Sequence, residues 1–314
     1  DDHEGLRRAL GVDFRYVAAA YVGPRLHPDS EDPRVRVSPE WGMHLRYIEH
    51  GTGAYWEPWG EPLRDMDVDT ACHYPMPSPN DFDYSQVPML CERYQGYAIS
   101  THPGFEVMNW TGRFVGHERM YIGLATDDPA LMTFIQRFVD IKYEIFQRTL
   151  EAAEGYLTFL GIGEDLGTQR GPRISLKLFR SRIRPIHERF IALAKRHNLP
   201  VMIHSCGSSS WAFPDFIDMG IDAVDTLQPE AANMAPAYLK RTYGDQLAFH
   251  GCISTAGPVA YGTVQETVTY CRQTLDTMMP GGGYCFAPTH QLQDNSPTEN
   301  VVAMYETARQ YGVY

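Results

Sequence analysis

From about residue 155 to the end, short apolar runs alternate with longer stretches of helical periodicity, and few folds accommodate that rhythm. Runs at 156–160, 200–203, 223–225, 247–249 and 284–287 have the length and composition of buried strands. Helical patterns fill about 175–197 and a short stretch at 213–219. A strand that returns parallel to its predecessor needs a crossover, usually a helix, so this order predicts a parallel sheet covered by helices. Thr263 and Glu266 form a capping box, Val264, Val268, Cys271 and Leu275 make one apolar face, and Pro280-Gly281 ends the helix. Ser296-Pro297-Thr298-Glu299 repeats the device ahead of the stripe Val301, Met304, Tyr305, Ala308 and Tyr311, with Gly312 at the C-cap. Upstream, 15–22 and 96–101 read as two more strands, and about 129–153 as a long helix. Seven parallel strands are one short of a closed set, so the expected fold is α/β, a (β/α)8 TIM-type barrel forming a single domain over 1–314.

Residues 25–95 break the rhythm. They are rich in Pro, Trp, Tyr and His, and 44–57 has the pattern of a hairpin around Gly51-Thr52-Gly53. This segment is expected to be a large irregular excursion over the barrel mouth, with Trp41, Trp56 and Trp59 shaping an apolar pocket. The chain's net charge of −12, with no basic cluster, excludes a nucleic-acid partner, and no uncharged apolar stretch is long enough for a membrane span. Six cysteines, at 72, 91, 206, 252, 271 and 285, show no tight repeat in a chain of 314 residues, so a reducing cytoplasm is expected. The sequence opens on Asp1 with no signal-peptide pattern, and a true start upstream of it is expected.

Metal-capable residues collect at the downstream ends of the predicted strands, where barrels of this kind carry their chemistry. Glu164 and Asp165 follow the 156–160 run, and His204 and Cys206 follow 200–203. Asp225 and Gln228 follow the third run, His250 and Cys252 the fourth, and His290 the fifth. Side chains at i and i+2 of a strand share a side, so His204 and Cys206 can grip one ion from a single strand tip. Imidazole plus thiolate suits zinc, and a catalytic zinc needs one further protein ligand, for which His290 is the candidate. His204 alone reads equally well as a hydrogen-bonded core histidine, but His-x-Cys followed by Gly207 and small residues favours the metal. Cys252, Cys271 and Cys285 read as small core residues. Glu164 and Asp165 either brace a loop or act as acid and base. Gly281-Gly282-Gly283 precedes its strand and is a turn, and no phosphate or dinucleotide fingerprint is present.

The segments 163–169 (Gly-Glu-Asp-Leu-Gly-Thr-Gln), His204-Ser205-Cys206-Gly207 and Ala287-Pro288-Thr289-His290, followed by 296–300, resemble the uroporphyrinogen decarboxylase superfamily from about residue 105 onward. The resemblance implies a distorted (β/α)8 barrel and two branches of activity: a cofactor-free decarboxylase, and zinc methyltransferases that exchange methyl groups with corrinoid proteins. The decarboxylase's N-terminal Arg-Gln-Ala-Gly-Arg-Tyr segment is absent here, and the negative charge suits a tetra-anionic porphyrinogen poorly. His204 and Cys206 match the methyltransferase zinc ligands. Where that branch has a later cysteine, this chain has His290, as the decarboxylase does.

The resemblance thus implies a zinc-dependent methyltransferase, with Glu164, Asp165 and Gln228 as catalytic residues and His204, Cys206 and His290 holding Zn2+. The methyl group would move between a small O-, N- or S-methyl compound and a thiol or a cobalamin on a separate corrinoid protein. A homodimer is left open. The alternative is a metal-free decarboxylase of a small aromatic or heterocyclic acid, using Asp165 and His290. A third reading, from a different class, is a non-catalytic barrel that binds a small ligand or a partner.

Overall fold

The computed structural model describes residues 2–50, 53–101 and 105–314. The fold is α/β with a parallel central sheet. The chain divides into two compact units. One joins the chain up to Phe14 with Asp165–Arg173 and Pro200–Tyr314, and the other joins Arg15–Glu164 with Ile174–Leu199. Among the described residues no helix is long and apolar enough to cross a membrane.

In the first unit the strands Val201–His204, Ala223–Thr226, Ala248–Ile253 and Tyr284–Pro288 lie side by side in chain order, each parallel to its neighbour. Helices Phe213–Met219, Pro236–Tyr243 and Val264–Met278 make the crossovers, as the alternation predicts. Register then decides which polar residues meet. Asp225 is opposite both His204 and His250, and His250 is opposite Cys285, so one row runs across the sheet. The turn before the last strand is Gly281-Gly282-Gly283, all three at positive φ (81°, 80° and 72°).

The Thr263–Glu266 capping box forms: Glu266 N donates to Thr263 Oγ1 at 3.2 Å and Thr263 N to Glu266 Oε2 at 2.7 Å. Its helix turns Thr267, Cys271, Thr274, Leu275 and Met278 inward, while Val264 is exposed. The last helix, Thr298–Tyr311, has no side-chain cap at its start, contrary to the expected repeat of the box. Its buried face is Asn300, Ala303, Met304 and Thr307, so the predicted stripe is rotated and Tyr311 is exposed. The cause is Asn300, whose Nδ2 donates to the carbonyls of Val259 (3.2 Å) and Gly262 (2.8 Å) and makes a polar residue the inward anchor. Met304 and Cys271 then pack with Ile253 and Val259.

In the second unit the strand predicted at 156–160 lies downstream, at Leu160–Gly163, and all four of its residues are buried. Gly161 and Gly163 hide it from sequence reading because glycine depresses the strand signal. Tyr156 instead donates its N–H to Ala153 in a turn that ends the Pro129–Ala152 helix. The 15–22 run divides into Phe14–Val17 and Ala20–Tyr21, the latter antiparallel to Phe82–Asp83. Within 25–95, Val35–Val37, His44–His50 and Gly53–Pro58 form an antiparallel meander. It contains the expected hairpin, whose tip residues Gly51 and Thr52 lie outside the described residues.

Glu164 ends the Leu160–Gly163 strand, fully buried. Its carboxylate accepts from Val107 N (2.9 Å) and Met108 N (3.0 Å), the free donors that open the Val107–Val115 helix. That helix has no cap from its own N-cap residue, Glu106, so Glu164 supplies one from elsewhere in the chain. Both of its oxygens are engaged, so the carboxylate braces the start of that helix. Leaving two buried N–H groups unpaired costs on the order of 1–3 kcal/mol each. Glu164→Leu is therefore expected to destabilise the protein by about 3 kcal/mol, read from the urea midpoint, and Glu164→Gln by less.

Candidate metal centre

The Val201–His204 strand places His204 at its end, and two residues on the chain presents Cys206 on the same side. Cys206 Sγ lies 3.5 Å from His204 Nε2. Asp165 joins them, with Oδ1 3.7 Å from the same nitrogen. One donor atom from each of the three lies within 4.8 Å of the others, and no second such group occurs among the described residues. All three side chains are half-buried.

Backbone contact brings Asp165 there. Gly167 N donates to Cys206 O (3.2 Å), Ser208 N to Thr168 O (2.8 Å), and Cys206 N to Asp165 Oδ1 (2.9 Å). The two loops touch through glycines. A Cβ on Gly207, at φ +72°, would stand 2.5 Å from the carbonyl carbon and oxygen of Gly167. Gln228 closes the arrangement from the side, its Oε1 accepting from Gly207 N at 2.7 Å.

Behind the ligands runs the row fixed by strand register. With a proton on Nδ1, His204 donates to Asp225 Oδ2 at 2.6 Å, and Thr226 Oγ1 lies 2.8 Å from the same nitrogen. The other oxygen of Asp225 accepts from His250 Nδ1 at 2.5 Å, and Phe14 stacks on the His250 ring with centroids 4.9 Å apart. A carboxylate behind a ligating imidazole fixes the tautomer, leaving Nε2 for the metal, and raises its basicity. Backbone strain marks the same strand ends: Thr226 has φ 90° and Cys252 φ 67°. For a β-branched residue that is a genuine outlier, of the kind that persists only where surrounding contacts enforce it. Asp225→Asn keeps the shape and removes the charge, and losing such a partner typically weakens metal binding about 10–100-fold. Competition with a chromogenic chelator measures that change in Asp225→Asn.

The electrostatics favour a cation. Burial works against a charged His204, but its hydrogen bonds to Asp225 and Cys206 outweigh it and hold the imidazole well above its usual value. Burial, less fully offset by His204 and reinforced by Asp165, pushes the Cys206 thiol up. Asp225 is held well below the usual carboxylate range: burial opposes this, and hydrogen bonds from both histidines prevail. Asp225 and Cys206 on either side of one imidazole thus favour a positive charge there, which a proton or a metal ion supplies.

Of the residues expected at the site, the structure gathers His204, Cys206 and Asp165, and places Gln228 beside them. His290 stands outside this group and is exposed; the residue gathered with His204 and Cys206 is Asp165, expected as an acid or base. The physical cause is local: Thr289 N donates to Ile253 O at 2.8 Å, and Thr289 is buried, which sends its neighbour outward. His250 enters through Asp225. Cys252 and Cys271 are core, as read from the sequence, with thiols pushed up to about 12 by burial. Sequence reading missed how Asp225 and His250 support His204; their places at neighbouring strand ends were the available signal. Of the tryptophans, Trp41 is buried and lines a cavity in the second unit, whereas Trp56 lies beneath the Arg36 guanidinium at 3.9 Å.

The family profile described as uroporphyrinogen decarboxylase (URO-D) matches residues 116–311. No curated protein sequence matches the chain. Among solved structures, a methyltransferase from Methanosarcina mazei is similar, with a TM-score of 0.59 and 14% identity over 87% of this chain and 77% of that one. At that identity the likeness is one of fold.

Proposed function

This chain belongs to the uroporphyrinogen decarboxylase family, and from that premise we propose that it is a zinc-dependent methyltransferase built on a distorted (β/α)8 barrel. It moves a methyl group between a small O-, N- or S-methyl compound and either a thiol or a corrinoid carried by a separate partner protein. One observation carries the reading: imidazole, thiolate and carboxylate donors converge within 4.8 Å, with the imidazole braced from behind by Asp225. This donor set fits zinc, which takes nitrogen, sulfur and oxygen ligands and in catalytic sites leaves one position open. When bound, zinc supplies Lewis acidity, stabilising negative charge on a substrate oxygen or sulfur and lowering a thiol's pKa.

The chain's own residues prepare that chemistry. His204 presents Nε2 because its Nδ1–H is committed to Asp225. Cys206 contributes as the thiolate, and its backbone N–H anchors Asp165. Gln228 holds the Gly207 turn so that Cys206 keeps its place. In the transfer, the bond from methyl carbon to its heteroatom breaks with the electron pair left on the heteroatom. The acceptor supplies the pair for the new bond, and any proton is exchanged with a group beside the substrate. Half-burial of the three ligands leaves a side open to a small molecule.

The test is metal content and methyl transfer in protein purified without chelator. About one zinc per chain, lost together with methyl transfer to cob(I)alamin or a thiol in Cys206→Ala, supports the reading. Substoichiometric zinc that is unchanged in the variant defeats it. The family description favours a second reading, a metal-free decarboxylase of a small aromatic or heterocyclic acid. CO2 release that survives exhaustive chelation would select it.

A further inference from the structure

The second unit contains a cavity of about 530 Å³ that the metal chemistry does not use. Its walls are largely apolar, with Val17, Trp41, Phe82, Trp110 and Phe146 among them. Lys142, on the Pro129–Ala152 helix, lines it, with Nζ 4.8 Å from the Trp41 ring centre, 4.7 Å from Trp110 and 5.7 Å from Phe138. Three aromatic faces stabilise an ammonium, but they leave its three N–H donors unspent. Among the described residues Lys142 makes no hydrogen bond and no ion pair, and neither does Arg113, the second cation of the lining. Thr101, also in the lining, is 4% exposed, and among the described residues its Oγ1 has no hydrogen-bond partner. Burial lowers the Lys142 amine to about 8, with Glu40 pulling partly the other way.

Buried polar groups are ordinarily satisfied, and Thr101 Oγ1 is an exception among the described residues, beside the half-buried cations Lys142 and Arg113. Three unspent donor groups facing one apolar cavity are satisfied together by an acceptor-rich group attached to an apolar body. We propose that this cavity is a binding site for a small monocarboxylate with an aromatic or aliphatic body. Its carboxylate pairs with Lys142 and Arg113 and accepts from Thr101, while the body lies against Trp41 and Trp110. The cavity volume falls in the range of small-molecule sites. Glu40 and Glu106 also line the space, the latter accepting from Asn109 Nδ2 at 2.6 Å. Their two charges balance those of Lys142 and Arg113, so a second carboxylate on the ligand would find no cation left to pair with. The proposal stands independently of the metal centre.

Trp41 and Trp110 provide the readout. Titrating the full chain with benzoate, 2-naphthoate and octanoate should quench tryptophan fluorescence saturably for at least one of them. The matching amide should bind at least tenfold more weakly, and terephthalate should not compete. Lys142→Met, which replaces the ammonium with an apolar chain of similar length, should weaken binding at least tenfold with an unchanged melting curve. Lys142→Arg should retain it. As a second readout, the bound acid should protect Lys142 from reductive methylation, followed by mass spectrometry. No saturable binding by any of the three acids up to about 10 mM (about 2.7 kcal/mol of affinity), or equal binding by Lys142→Met, overturns the proposal. Zinc content is unaffected in every arm, so failure here is distinguishable from failure of the metal reading.

Discussion

Cys206→Ala is expected to strip the protein of zinc while leaving it folded. Zinc sites built of protein ligands bind with about 10–16 kcal/mol in all, so one of three ligands carries on the order of 3–4 kcal/mol, about 500-fold in affinity. His204→Ala should cost as much, because it removes the nitrogen that lies 3.5 Å from Sγ and also leaves Asp225 without one of its two imidazole partners. Cys285→Ala is the control. Cys285 sits in the same row across the sheet, opposite His250, yet is outside the donor group, and burial pushes its thiol up to about 11. Zinc measured by atomic emission after gel filtration should fall below about one tenth per chain in the first two variants. It should be unchanged in the control. Equal zinc in all three would mean that the metal, if any, is held elsewhere.

The second large effect belongs to a residue with no side chain. Gly207 has φ +72°, a region that costs other residues about 1–2 kcal/mol. The atoms a Cβ would meet are backbone atoms of Gly167, 2.5 Å away, which cannot turn aside as a side chain does. The approach is mutual, since a Cβ on Gly167 would stand 2.3 Å from Ser208 N. Adding overlap to conformational cost, Gly207→Ala is expected to destabilise by about 3 kcal/mol and Gly207→Val by more than about 4. In a protein of this size that lowers Tm by about 5 °C. Gly281→Ala separates the two contributions. Gly281 has a similar φ of +81° with nothing within 4 Å, so it should show only the conformational share, about 1 kcal/mol. A Gly207→Ala protein no less stable than Gly281→Ala would show that the loops are free to part.

Much of this was legible in the chain itself. The alternation of apolar runs and helices announced the parallel sheet, because parallel neighbours require long crossovers and leave that signature. His-x-Cys at a strand end announced the donor pair through the two-residue repeat of a strand. The same repeat sets Glu164 and Asp165 apart: they are adjacent and so diverge. One carboxylate goes to the Val107–Val115 helix and the other to Cys206, although the sequence presents them as a pair. His290 was a sound chemical candidate, but a single backbone hydrogen bond at Thr289 decides where it faces. The alliance of His204, Asp225 and His250 depends on the register between strands, which is not written locally in any of them. Glycines within Leu160–Gly163 and the inward Asn300 misled the strand and stripe assignments for the same reason: long-range packing overrode local preference.

The row from His204 through Asp225 to His250 makes alignment between strands a condition for assembling the donor group with its brace. Sliding one strand past its neighbour by a single residue turns every side chain of that strand to the opposite surface. The cation's seat would then lose its brace along with its ligand. An ion that binds only the correct alignment adds its binding free energy to that alignment alone. An ion loaded there would therefore proofread the sheet, and a chain caught out of step would be left empty and less stable than its properly zipped sibling.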